Sequence, residues 1–233
     1  MNGKEIIVLA GGLGTRLRPV VNDVPKPLAP VAGRPFLMWQ LDFLAQQGVE
    51  RVILATGYMA TMIEEVIGSR YREMEVLYSV EHEPLGTGGA IARAAKLVRG
   101  DGVHVANGDT FLRYSLSSLE QAVRDSEEFD IGLALAHVAD VRRYGAVTLH
   151  GQRVSSFREK GEAGPGWINA GCYFLKAAVV QCLPTGAFSF EKEVLQRASC
   201  GGRVLALENT SDFIDIGAPG DYHHAQKLFR GRV

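Results

Sequence analysis

Cysteine is scarce in this chain, and its spacing excludes two common uses. Cys172, Cys182 and Cys200 are odd in number and form no Cys-x-x-Cys pair, so neither a disulfide framework nor a zinc site of the usual pattern is expected. Free cysteine behaves as a small hydrophobe, and all three are expected buried or half-buried. No run of roughly 18 apolar residues occurs, so no segment is expected to span a membrane. The apolar run at residues 6–10 is too short for a secretory leader and leads straight into glycines. The net charge is −1, without the basic excess of a nucleic-acid-binding surface. Repeats, low-complexity segments and linkers are absent, and the six histidines form no metal pattern. These absences predict a cytoplasmic chain with no nucleic-acid or membrane partner.

What is present is apolar periodicity. Hydrophobic residues make up 46% of the 233 residues, enough for a sizeable core in one α/β domain. Short apolar runs at 5–10, 51–56, 75–80, 102–106 and 130–138 read as buried strands. Between them lie helical stripes: Leu37, Leu41 and Leu44; Met59, Met62, Ile63, Val66 and Ile67; Ile91, Ala94, Ala95 and Val98; Leu116, Leu119 and Val123. Strand alternating with helix predicts βαβ units and a mostly parallel sheet. From about Gly145 the pattern changes to consecutive strands at 146–150, 154–159 and 167–175. Helices are expected at 191–198, capped by Ser189, and at 219–229, with Pro219 in the first turn. The expected fold is Rossmann-like: a mixed, mostly parallel sheet flanked by helices in one compact domain.

Leu9-Ala10-Gly11-Gly12-Leu13-Gly14-Thr15-Arg16-Leu17-Arg18-Pro19 follows the first strand directly. Its glycines allow a tight turn and a close approach of backbone N–H groups to an anion. Two familiar loops are excluded. No Lys-Ser or Lys-Thr completes a P-loop, and Leu17 stands where the dinucleotide fingerprint needs its third glycine. What remains is a glycine loop followed by cations: Arg16, Arg18 and Lys26. Lys26 lies between Pro25 and Pro27, which predicts a stiff, extended backbone there. Cations on a rigid loop suit a triphosphate. Gly86, Gly88 and Gly89 leave the backbone open to a flat base or ribose.

With these motifs assembled, the chain resembles the sugar-1-phosphate nucleotidyltransferases, or nucleotide-sugar pyrophosphorylases. The resemblance rests on residues Gly11 to Arg16 with Pro25-Lys26-Pro27, and on Glu83-Pro84-Leu85-Gly86-Thr87-Gly88-Gly89-Ala90. It continues through Asn107-Gly108-Asp109, Tyr144-Gly145, Glu159-Lys160, Asn169-Ala170-Gly171 and Ile214-Asp215-Ile216-Gly217. Within the family, Val24-Pro25-Lys26-Pro27-Leu28-Ala29-Pro30, Pro35-Phe36-Leu37 and Phe188-Ser189-Phe190-Glu191-Lys192 are most similar to the bacterial D-glycero-α-D-manno-heptose 1-phosphate guanylyltransferases.

The resemblance implies attack of a sugar-phosphate oxygen on the α-phosphorus of a nucleoside triphosphate. GTP and heptose 1-phosphate are the favoured pair, in the service of a cell-surface polysaccharide. A phosphate monoester has a second pKa of about 6, so the nucleophile is already anionic and needs no general base. Bringing two polyanions together is the task, and positioning and electrostatics should dominate it. The resemblance implies that Asp109 and Asp215 hold Mg²⁺, with Mn²⁺ as a substitute. Arg16 would stabilise the transition state and the leaving pyrophosphate, and Lys26 would contact the α-phosphate. Leu9, Gly11, Gly12, Gly14, Thr15, Gly57, Glu83 and Gly88 would complete the nucleotide site, beside Arg16, Lys26 and Asp109. Gly145, Glu159, Lys160 and Asn169 would take the sugar phosphate. Residues of about 1–140 would thus form a nucleotide-binding half and about 141–233 a sugar-phosphate half.

One departure is Gly161, where the family often has proline. The chain is also too short for the C-terminal β-helix of bifunctional relatives. Rival readings are the same chemistry with mannose 1-phosphate and GTP, with glucose 1-phosphate and UTP or dTTP, or with N-acetylmuramate 1-phosphate and UTP. A regulatory subunit that senses nucleotide sugars is a rival of another class. Oligomeric state has no sequence correlate here.

Overall fold

The protein is known from a computed structural model, which describes residues 3–158, 161 and 163–231. In chain order these form β1 (Lys4–Leu9), β2 (Pro30–Val31), β3 (Arg34–Pro35), α1 (Phe36–Gln46), β4 (Val49–Thr56), α2 (Ala60–Ile67), β5 (Arg70–Tyr71) and β6 (Met74–Val80). Then come α3 (Gly86–Ala94), β7 (Gly102–Asn107), β8 (Thr110–Arg113), α4 (Leu116–Arg124), β9 (Ile131–Val138), β10 (Val147–His150), β11 (Arg153–Phe157) and β12 (Gly166–Lys176). The chain closes with α5 (Ala177–Gln181), a π-helical turn (Glu191–Leu195) continuing into α6 (Gln196–Cys200), β13 (Val204–Leu207), β14 (Ser211–Asp215) and α7 (Pro219–Phe229).

One ten-stranded sheet runs in the order β10-β11-β13-β9-β12-β7-β1-β4-β6-β5. The pairings set β10, β13, β9, β7, β1, β4 and β6 in one direction, with β11, β12 and β5 against them. The mostly parallel expectation is met, and no β-helix is present among the described residues. Strands buried on both faces read as continuous apolar runs, as Ile6-Ile7-Val8 does. Alternation then sorts them. Ile6 and Val8 face α1, α2, α4 and α7, while Ile7 faces α3 and the 190–195 turn. Phe229 of α7 packs edge-on against Phe36 and Phe111 and lies over Trp39, which seals the first layer.

Most expected elements occur within a residue or two. Ser189 does cap its helix: its Oγ accepts from the Lys192 N–H at 3.3 Å. Pro219 opens α7. The sequence reading missed β8, β13 and β14. They are four or five residues long, and their partners lie far along the chain, so no local period marks them. Two cysteines correct the expectation of burial. Cys172 is buried in β12, but Cys182 and Cys200 are exposed at the ends of short surface helices.

Candidate active site

The central parallel strands end level with one another. Leu9 of β1 lies beside Ala55 of β4 and Asn107 of β7, and Thr56 lies beside Val80 of β6. The segments leaving those carboxyl ends meet around a cavity of about 540 Å³, where an open parallel sheet presents its ligands. Leu9, Gly11, Gly12, Gly57, Glu83 and Asp109 line it, with Leu13, Tyr58 and Asn107. Gly14, Thr15, Arg16, Lys26 and Gly88 lie outside that lining.

A second group gathers beside the cavity. Lys26 forms an ion pair with Asp109 and lies 3.8 Å from Asp215 Oδ1. A methyl group placed on Gly217 would come within 2.7 Å of Asp215 Oδ1, 3.1 Å of Lys26 Nζ and 3.2 Å of Arg16 Nη2. Arg16, Lys26, Asp109 and Asp215 therefore converge, although the sequence spreads them over 200 positions. The short sheet explains how. β14 pairs antiparallel with β8, which sets Asp215 opposite Thr110, the neighbour of Asp109, and the Ile216 N–H donates to the Asp109 carbonyl at 3.0 Å.

Lys26 needs a correction. Pro25 is extended (φ −65°, ψ 148°), but Lys26 itself opens a 3₁₀ turn, Lys26–Leu28, with Pro27 near its start. The Leu28 N–H donates to the Pro25 carbonyl at 2.8 Å. Gly14 has φ +61°, and a Cβ there would touch the Lys26 Cβ at 3.1 Å, so the loop and the lysine stem pack directly.

Electrostatics single out Asp215. Burial raises its carboxyl above the ordinary value, and the Asp109 charge raises it further. Lys26 and the Gly217 N–H oppose both. Two carboxylates held in this way favour an added cation. No group of three or more His, Cys, Asp or Glu side chains among the described residues is placed to hold a metal. The donor set is instead two carboxylates, which fits a hard cation that takes further oxygens from phosphate and water.

Sequence reasoning missed Glu81. It leaves the end of β6, and its N–H donates to the Thr56 carbonyl at 2.8 Å. A Cβ on Gly11 would lie 2.8 Å from Glu81 Oε1, and one on Gly57 would lie 2.8 Å from its Cγ. The carboxylate thus lies against both glycine backbones in the cavity wall. Burial raises its pKa, against the Leu85 N–H and the Arg93 charge. No motif marks it, because its meaning comes from two glycines far away in sequence. The glycines of α3 also have another reason for their identity. A Cβ on Gly88 would fall 2.1 Å from the Phe188 ring, and one on Gly89 would fall 2.3 Å from the Gly186 carbonyl. They make room for the loop before residue 190.

On the acceptor side, Gly145 adopts φ +83° after Tyr144. Burial raises the Tyr144 hydroxyl, Asp221 adds to this, and Asp215 and Arg16 act on it more weakly, which ties this turn to the charged group. Asn169 is occupied within the fold. Its amide oxygen accepts from the Gly171 N–H at 2.8 Å, and its amide nitrogen donates to the Tyr173 hydroxyl at 2.9 Å. Glu159 and Lys160 lie outside the described residues.

Residues 5–230 match the nucleotidyl transferase family. The chain belongs to that family. Among nucleotidyl transferases it is 41% identical over 224 residues to a D-glycero-alpha-D-manno-heptose 1-phosphate guanylyltransferase of Aneurinibacillus thermoaerophilus, covering 96% of this chain and 97% of the relative. It is 40% identical to the protein so named in Campylobacter jejuni, covering 94% and 97%. The structure resembles that of HddC from Yersinia pseudotuberculosis complexed with GMP-PN, with a TM-score of 0.84, 37% identity, and coverage of 97% of this chain and 99% of that one.

Proposed function

We propose that this nucleotidyl transferase moves GMP from GTP to D-glycero-α-D-manno-heptose 1-phosphate, giving GDP-heptose and pyrophosphate. The similarity to heptose 1-phosphate guanylyltransferases over nearly the whole chain supports the pair of substrates. The observation that carries the choice of base is the Glu81 carboxylate in the cavity wall. Guanine offers two adjacent donors, N1–H and the 2-amino group, and a carboxylate accepts both. Uracil and thymine offer one N–H between two carbonyls, which a carboxylate repels. A buried polar group that loses its partner discriminates strongly.

In this reading the base lies in the cavity, against the wall that Gly11, Gly57 and Glu81 form together, and the triphosphate runs towards Arg16 and Lys26. Lys26, freed from Asp109 and Asp215, meets the α-phosphate, and Arg16 meets the departing pyrophosphate. Mg²⁺, when bound by Asp109 and Asp215, would neutralise phosphate charge and stabilise the transition state. Gly145, Glu159, Lys160 and Asn169 hold the incoming sugar phosphate, whose oxygen attacks in line with the leaving group. Residues of about 1–140 then serve the nucleotide and about 141–233 the sugar. Among the described residues no helix is long and apolar enough to cross a membrane, and the proposed place of action is the cytoplasm.

The test is pyrophosphate release over a grid of GTP, UTP, dTTP, CTP and ATP against several sugar 1-phosphates, with Mg²⁺. The expected result is a dominant signal for GTP with the heptose 1-phosphate. A dominant signal for another pair overturns the substrate assignment. Silence with folded protein would bring the regulatory reading forward.

A further inference from the structure

Gln40 lies in the middle of α1 among apolar residues and is only 4% exposed. A buried amide in such a helix costs free energy unless it is bonded, and a methionine would fill the same space without that cost. The reason for an amide is found across the interface. Gln40 Nε2 donates to the Asn107 carbonyl at 3.0 Å and to the Thr110 carbonyl at 3.1 Å. Asn107 closes β7 and Thr110 opens β8, so the two carbonyls flank Asp109. Of the two ends of the amide only the –NH₂ can donate to two carbonyls, and this sets its orientation.

Other elements hold the turn as well. The Gly108 N–H donates to the Leu9 carbonyl at 2.9 Å, and the Asp109 carbonyl accepts from Ile216. Gln40 therefore supplies the attachment to α1. Its own oxygen has no partner among the described residues, and the buried Tyr114 hydroxyl is set against the Cys172 thiol. Both line a cavity of about 10 Å³ next to Cys172, roughly the space of one water that could bridge them.

We infer that Gln40 is a positioning residue of the reaction, clamping both ends of the turn that presents Asp109. The inference rests on the reading of Asp109 as a metal ligand. Groups that orient metal ligands cost about 10- to 100-fold in metal affinity or activity when removed.

Mn²⁺ binding in the presence of GTP and absence of sugar phosphate, followed by electron paramagnetic resonance, tests it. In Gln40→Met the Mn²⁺ Kd should rise about 10- to 100-fold, while the KM for the sugar phosphate stays near that of the unaltered protein. An unchanged Mn²⁺ Kd overturns the inference, whatever happens to the melting temperature, because a packing role would move stability alone. Should Gln40→Met fail to fold, Gln40→Glu keeps the size and replaces the donor by an acceptor. Its Mn²⁺ binding, relative to the unaltered protein at each pH, should be weak at pH 8 and recover as the carboxyl gains a proton to donate. A ratio near one throughout overturns the clamp. Asp109→Asn separates the two readings. If it leaves Mn²⁺ binding intact, the metal assignment fails. If it abolishes binding while Gln40→Met binds normally, only the clamp fails.

Discussion

A cluster of charge lies at each end of the parallel strands, and the two clusters are built to opposite rules. At the amino ends Glu5, Arg51 and Glu75 stand side by side in register on β1, β4 and β6. Glu5 and Arg51 are buried. Arg51 pairs with Glu5 and, at 2.7 Å, with Glu75, and it also donates to the Leu97 carbonyl. Glu5 accepts in addition from the Arg99 and Gly100 N–H groups. Every charge there is answered by a fixed group of the fold. At the carboxyl ends Lys26 stands between Asp109 and Asp215 with Arg16 close by, and Asp215 is raised by burial and by its acidic neighbour. A saturated cluster contributes stability. An unsaturated one holds the electrostatic imbalance that a ligand relieves.

The largest expected effects come from the unsaturated end. Asp109→Asn or Asp215→Asn should lower turnover on the order of 10³-fold, several kcal/mol of transition-state stabilisation. Asp215→Asn should also raise the melting temperature, since its charged form is disfavoured in the fold. Steady-state kinetics beside thermal melts check this, and near-normal turnover at saturating Mg²⁺ would erase the contrast between the two ends. The mirror image is Glu5→Ala, which leaves the buried Arg51 to the more exposed Glu75 and strips the Arg99 and Gly100 N–H groups of their acceptor. It should cost about 3–5 kcal/mol of stability and leave kcat and KM unchanged at 25 °C, as read by urea unfolding and by assay.

A smaller effect sharpens the unsaturated end. Glu81→Gln should raise the KM for GTP about tenfold or more and narrow the gap between GTP and UTP, leaving kcat with saturating GTP close to normal. An unchanged nucleotide preference would remove Glu81 from base recognition.

The smallest effect lies outside both clusters. Glu120, which bonds the buried His104 at 3.3 Å and Arg124 at 2.7 Å, is held down at about 2, chiefly by the His104 hydrogen bond and also by Arg124. A depressed carboxyl contributes stability that is complete above its ordinary value of 4.5 and is lost as pH falls through about 2. Glu120→Gln should lose less than about 1 kcal/mol at neutral pH, because solvent reaches Glu120 and Arg124 and the amide oxygen can still accept from His104. It should also flatten the fall in stability between those two values, as measured by melts across that range.

Legibility in the sequence followed the distance over which each signal acts. The βαβ core could be read because apolar runs and helical stripes are local, and a helix or strand buries its own face wherever its neighbours stand. Arg16, Lys26, Asp109 and Asp215 could be named from motifs, each motif being a short loop at a strand end. The β8–β14 pairing that joins Asp109 to Asp215 left no trace, since five residues carry too little alternation to announce a partner about 100 positions away.

Other identities became intelligible only in three dimensions. Gly88 reads as an opening for a ligand, but the Phe188 ring takes that space. Glu81 carries no motif, and its place is set by Gly11 and Gly57, which close upon it. Gln40 has no marked place in the sequence, and the carbonyls of Asn107 and Thr110 supply its purpose. The sequence by itself determined the parallel α/β core, the glycine loop and the kinds of charge the site would use, because periodicity and residue chemistry are local properties. Only the tertiary structure decided which charges meet, which are already answered, and which carboxylate lies in the cavity wall. Those facts are distances between groups far apart in sequence, and folding alone sets them.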